Sequence, residues 1–419
     1  MYDQHILPNG LTLIGERLSH FRSVSIGIWI GAGSQHEARE EGGLSHFLEH
    51  MLFKGTEKRS ARQIAEAMDA VGGQLNAFTA KECTCFYARV IDEHAELALD
   101  VLSDIILNSV YDAGEMEKEK GVILEEIAMT EDEPEDLTHE LIMMAHYGDQ
   151  PLARPILGVA DVVRGFTREG VIGYRDRMYR PERAVLAVAG NYDWEKLILM
   201  AERFLGDWRS GERGADELIA LPATPCLIRR EKDIEQLHIC LSYPGFAQGA
   251  DEVYPMSIFN SVFGGAMSSR LFQKIREESG MAYTVYSYPA FFTSTGMLAV
   301  YAGTSLQHAD AVLGMIRAEI DALVQGGITP AEFEQTRAQL KGSYVLGQES
   351  ASARMNALGR RMLLHRDTQT EDDVIRKIDA IEHEQVNGVI RAVFAGSCAA
   401  ALVGRGAEGL GMSAFVANG

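Results

Sequence analysis

The chain has 419 residues, 46% of them hydrophobic, with 39 basic against 60 acidic side chains and a formal charge of −21. This is chain enough for two to three domains with ample cores, and the acidic balance argues against nucleic acid or an anionic membrane as main partner while favouring basic ligands. No apolar run reaches the roughly 18 residues of a membrane span, and the N-terminus lacks a signal peptide's basic and apolar regions, so a cytoplasmic setting is expected.

Residues 5–16, HILPNGLTLIGE, read as two short strands about an Asn-Gly turn. Residues 23–31 alternate as a strand with Val24, Ile26, Ile28 and Ile30 on its apolar face. GGLSHFLEHMLFKGT follows, a helix over about 42–54 that ends near Gly55. On a helix His46 and His50 stand one turn apart on one face, and Glu49, three residues after His46, joins them. Two neutral imidazoles so placed can hold two corners of a tetrahedral zinc site, and a carboxylate beside them can take a proton from a zinc-bound water. The order His-x-x-Glu-His inverts the better-known His-Glu-x-x-His and reads as a zinc peptidase signature. The plain alternative is an amphipathic helix with capped or solvated histidines. A third ligand has to come from elsewhere in the chain.

Ser60 reads as the N-cap of a helix to Val71, closed by Gly72 and Gly73. A β-hairpin follows, 74–79 and 83–91, with Cys83 and Cys85 on one face. The five cysteines are odd in number and scattered, which is no disulfide framework. Residues 92–109 have helical periodicity, and Asp112, with Glu115 as capping-box partner, opens a helix carrying Glu119 and Glu126 two turns apart on one stripe. Helices at 137–147 and 168–179, a strand at 183–190, and a helix from Asp193 to about Leu205 end the first half.

Residues 206–224 are the least periodic long stretch and the expected linker. After it the pattern starts again: a strand at 237–245, a helix in VYPMSIFNSVFGG, a hairpin over 281–304, helices near 306–325, 330–347, 351–366 and 383–394, and a strand at 398–404. The expected fold is α+β, two similarly built domains, 1–212 and 213–419, each a mainly antiparallel sheet packed with helices. The second-half helix offers Phe259 and Phe263 where the first offers His46 and His50, so only the first half can hold this metal.

These motifs, in the order LPNGLTLI, HFLEHMLFKGT, LNAFTAKE, EKGVILEEI and SSRLFQKIREESGMAYTVYSY, resemble the pitrilysin family of inverted-motif zinc peptidases. The likeness is to its two-domain bacterial members and to the catalytic subunit of mitochondrial processing peptidase. The resemblance implies one zinc per chain with His46, His50 and Glu126 as ligands, Glu49 as the base, and Glu119 as a catalytic carboxylate orienting a ligand histidine or tuning the site's charge. It also implies that the strand holding Asn76, Ala77 and Phe78 pairs with the backbone of a bound peptide. Arg276 and Tyr283 match the family's pair that contacts substrate and helps stabilise the oxyanion.

In the family's long members that pair comes from the far half of a clam-shell. Here the expectation is therefore a homodimer in which Arg276 and Tyr283 of one subunit face the zinc of the other. The expected function is a zinc metalloendopeptidase for peptides or unfolded polypeptide, basic ones preferred. A non-catalytic scaffold of the same fold, or an active subunit needing a different partner chain, is the competing reading. The presence of His46, Glu49, His50 and Glu126 together argues for the enzyme. Two departures, Arg183 in place of a usual Asn and no histidine in Gly148–Pro151, do not touch the metal logic.

Overall fold

The computed structural model describes residues 2–210 and 225–416; most of the expected linker and the expected domain boundary at 212/213 lie outside the described residues. In chain order the elements begin with strands β1 (Asp3–Ile6), β2 (Thr12–Arg17) and β3 (Ser23–Ile30), then helices α1 (Leu44–Leu52) and α2 (Ala61–Asp69). The hairpin β4 (Gln74–Thr79) and β5 (Thr84–Ile91) leads into α3 (Ala95–Asn108), α4 (Ala113–Asp132) and α5 (Pro134–Tyr147). Next come α6 (Ala160–Arg164), α7 (Arg168–Met178), β6 (Ala184–Gly190) and α8 (Trp194–Leu205). Beyond residue 225 stand β7 (Leu227–Arg230), β8 (Gln236–Pro244), α9 (Val253–Phe263), a π-helical stretch Phe272–Glu278, and the hairpin β9 (Ala282–Phe291) and β10 (Gly296–Ser305). Helices α10 (Ala309–Gly326), α11 (Pro330–Gly347), α12 (Ala351–His365), α13 (Glu371–Asp379) and α14 (His383–Phe394), with strand β11 (Ala399–Val403), complete the described chain.

Two compact units result. The first takes in the chain up to Ala128, the elements from Arg154 to Leu205, and Val345–Thr370. Its sheet has the order β1-β2-β6-β3-β5-β4, antiparallel except where β2 meets β6. Strand alternation gives it two apolar faces. Val24, Ile26, Ile28 and Ile30 of β3, all inaccessible to solvent, join Phe86 and Leu186 under α1, α3, α7 and α8. The opposite face, with Ile14, Trp29, Cys85, Val185 and Ala187, is covered by Met355, Leu358 and Met362 of α12. Cys83 and Cys85 are buried in that layer, and burial holds their thiols well above the usual range.

The second unit takes in Met129–Ala153, the elements from Leu227 to Tyr344, and the chain from Glu371. Its sheet order, β7-β11-β8-β10-β9, repeats the first from the inner strand of the N-terminal pair to the hairpin edge, and again one contact, β7 with β11, is parallel. One face packs on α9, α10 and α14, where Phe259 and Phe263 stack 5.5 Å apart in the core. The other face is covered by Leu137, Leu141, Ile142 and Ala145 of α5. Each half of the sequence thus supplies one helix to the other half's sheet. No helix among the described residues is long and apolar enough to cross a membrane.

Candidate metal centre

Helix α1 is set by its own pattern. Leu44, Phe47, Leu48, Met51 and Leu52 are all buried and form one stripe at helical spacing. Docking that stripe leaves His46, Glu49 and His50 half-buried on the other side. The two imidazole rings are 4.7 Å apart. From α4, Glu126 reaches both: its Oε2 is 3.8 Å from His46 Nε2 and its Oε1 is 3.8 Å from His50 Nε2. One donor atom from each of the three lies within 4.8 Å of the others, and among the described residues no other group of His, Cys, Asp or Glu is so arranged.

The protonation states suit a cation. Burial, aided by the neighbouring His50, pushes His46 down to about 4, which leaves it neutral and able to ligate at neutral pH. Glu119 Oε2 lies 2.9 Å from His50 Nδ1. An ionised carboxylate only accepts, so Nδ1 donates that bond and Nε2 is the nitrogen left toward Glu126. Glu119 is 4% exposed; burial opposes its charge, but hydrogen bonds from Lys54 and His50 outweigh that and lower its pKa. Two imidazole nitrogens and one carboxylate oxygen are the donor set of a catalytic zinc site, so these residues fit the ion.

Glu49 is lifted above the usual carboxylate range, chiefly by burial and against a hydrogen bond from Thr79. That bond runs from Thr79 Oγ1 to Glu49 Oε2 at 2.5 Å. It brings the end of β4 to the cluster, and β4 is the outermost strand of its sheet. On β4, Asn76 is exposed, Ala77 is buried, and Phe78 is half-buried edge-on to Trp29 at 5.4 Å. Arg276 and Tyr283 pair with each other in the second unit. The Arg276 guanidinium stands over the Phe272 ring at 4.8 Å and the Tyr283 ring at 5.1 Å, and Tyr283 is 73% exposed.

Three participants carry no signal in the sequence reading: Thr79, Lys54 and Glu37. Helix α1 has Gly43 at its N-cap with φ +97°, where a Cβ would meet Leu157 O at 2.7 Å, so the cap position has no side chain to offer. Glu37 takes over from six residues upstream. It is 2% exposed and accepts from Gly43 N and Ser45 N at 2.7 Å each, one with each oxygen. Burial, the largest influence, pushes its carboxyl up to about 7 against these bonds. A loop-borne cap six residues away follows no local spacing rule. The tertiary path of the loop decides it.

Residues 15–160 match the family described as Insulinase (Peptidase family M16), and residues 165–340 match the Peptidase M16 inactive domain. A Bacillus subtilis protein named uncharacterized zinc protease YmxG is 41% identical over 96% of this chain and 98% of its own. A Streptomyces coelicolor protein, also named an uncharacterized zinc protease, is 40% identical over 93% of this chain and 86% of its own. Among solved structures, a peptidase M16 inactive domain from Pseudomonas fluorescens superimposes with TM-score 0.90 at 17% identity, covering 97% of this chain and 98% of that one. A protease from Helicobacter pylori does so with TM-score 0.89 at 19% identity, covering 96% and 99%. At such identities the likeness is one of fold.

Proposed function

The chain belongs to peptidase family M16, and from that premise we propose that it is a zinc-dependent endopeptidase acting on peptides or unfolded segments. The observation that carries the proposal is the convergence of His46, His50 and Glu126 within 4.8 Å, with Glu49 on the same helix face. A zinc ion held by these three, one per chain, supplies Lewis acidity toward a water and a peptide carbonyl. Glu49 takes the proton of the attacking water and returns it to the leaving amine. Thr79 holds Glu49 in place through its hydroxyl. Glu119 keeps the His50 ring turned and its Nδ1 protonated.

An extended peptide adds to the free edge of β4 at Asn76, Ala77 and Phe78, and backbone pairing makes the site tolerant of sequence. The guanidinium of Arg276 and the phenol of Tyr283 suit a substrate carbonyl and the charge that develops on it. In this proposal they serve the zinc site of a second copy, so the active particle is a homodimer. A fully active monomer in sedimentation contradicts that part. The inactive-domain match includes α9, whose Phe259 and Phe263 fill the core, which fits one metal per chain. The charge of −21 favours basic substrates in the manner of processing peptidases. Five unpaired cysteines suit a reducing, cytoplasmic setting.

The test uses a quenched peptide and a chelator. Hydrolysis is expected to stop on zinc removal and to return with one equivalent of zinc per chain. Zinc-loaded protein that cleaves no peptide across a broad set refutes the enzyme and favours a non-catalytic subunit. A Lys/Arg-rich peptide should be cut faster than its Glu-substituted counterpart, the more so at low salt; equal rates contradict the basic preference.

A further inference from the structure

We propose that Lys54 is a positioning residue of the metal centre: with His50 it grips both oxygens of Glu119, and this sets the height and rotation of α4 and so the place of Glu126. The inference rests on the reading of His46, His50 and Glu126 as zinc ligands.

Lys54 follows His50 by four residues, just past the end of α1, where its backbone N–H still bonds Met51 O at 3.1 Å. At that spacing the two side chains leave the same face one turn apart. They meet a single carboxylate. Glu119 Oε2 takes His50 Nδ1 at 2.9 Å, and Glu119 Oε1 takes Lys54 Nζ at 2.6 Å. A carboxylate held at one oxygen can swing about its own bond. Held at both by donors from one segment, it is fixed in plane and in tilt.

The fixed point matters because α4 has few others. Of its twenty residues only Met116, Glu119 and Ile123 are buried, so apolar packing does little to set its rotation. Glu126 stands seven residues beyond Glu119, two turns along the same stripe. Holding Glu119 against α1 therefore holds Glu126 against His46 and His50. The alternative is a plain ion pair. The Lys54 side chain is 30% exposed, and partly exposed ion pairs ordinarily contribute little. Lys54 differs in that its partner is 4% exposed and shared with a ligand imidazole.

The experiment compares the full chain with Lys54→Met and Lys54→Arg, and with Lys118→Met, which removes an exposed lysine from α4 itself. Zinc affinity is read by competition with a chromophoric chelator, and site geometry by the visible bands of the cobalt-substituted protein. Thermal unfolding of the metal-free forms checks the fold. Lys54→Met is expected to bind zinc at least about tenfold more weakly and to alter the cobalt bands, while its metal-free form, though less stable for the unpaired Glu119, still unfolds cooperatively. Lys54→Arg should recover most of the affinity, and Lys118→Met should match the wild type. Wild-type affinity and cobalt bands in Lys54→Met would overturn the inference. A wild type that binds neither metal would instead refute the zinc reading, and this inference with it.

Discussion

Thr79 donates its hydroxyl to Glu49 from the end of the strand proposed to receive the substrate. Thr79→Val keeps the shape and the backbone bond to Glu49 and removes the hydroxyl bond. It is expected to leave zinc content unchanged and to lower kcat roughly tenfold with KM little altered, since a loosened base loses its aim rather than its site. Steady-state kinetics with zinc analysis decides this, and an unchanged kcat contradicts it. His46→Ala removes a ligand and should lose zinc on dialysis; retention of one equivalent would show that the imidazole does not ligate. Residue by residue, what could be read from the sequence was what one helix determines alone. His46, Glu49 and His50 share a face because 3.6 residues make a turn. Glu126, on another helix, came only through the family resemblance. Thr79 and Glu37 act through contacts that depend on the path of the chain, which no local spacing encodes; Lys54 shares a face with His50 by its four-residue spacing, but its partner Glu119 lies on another helix.

Helix α1 lacks a cap of its own, and Glu37 provides one from the preceding loop. Glu37→Ala strips two backbone amides of a buried acceptor and is expected to destabilise the fold by about 1–3 kcal/mol in urea unfolding. A loss within error would show that water replaces the carboxylate. In the second unit, Arg270 holds Glu332 through both oxygens at 2.7 Å, just ahead of the π-helical stretch that carries Arg276. Burial opposes the Glu332 charge, but the bonds from Arg270 and Thr329 prevail and hold the carboxyl down at about 2, below its ordinary 4.5. A folded pKa below the unfolded one contributes stability that is full above pH 4.5 and is lost as the pH falls toward 2. Wild type is therefore expected to exceed Glu332→Gln by about 1 kcal/mol at neutral pH, the side chain being 30% exposed, with the gap closing on acidification below 4.5. A gap that widens in acid contradicts this. Long elements with clear periodicity were legible. The five-residue α6 and the four-residue β7 were not, because segments so short owe their form to what they pack on; α13, as long as the legible α1 and α2, also went unread.

Two halves of like sheet order follow from the repeated strand, helix and hairpin pattern, and the sequence showed that repetition. The exchange of α5 and α12 was hidden from it, because an amphipathic helix does not say which sheet it covers. The exchange has a consequence for the whole chain. A fragment ending at residue 212 lacks α12, and so bares a face containing Ile14, Trp29, Val185, Ala187 and Ala189. An apolar face of that extent is not tolerated by a soluble monomer. The fragment is expected to aggregate or to lose its near-ultraviolet circular dichroism, whereas a fragment that unfolds cooperatively as a monomer would show that α12 is dispensable. Catalysis in this proposal turns on one carboxylate beside one metal. Its most direct test is peptide hydrolysis by wild type and Glu49→Gln with zinc quantified in both. Equal zinc and a fall in turnover of about 10²–10⁴-fold are expected in the variant, because the base is removed and the ligands are not. Equal turnover at equal zinc would contradict it.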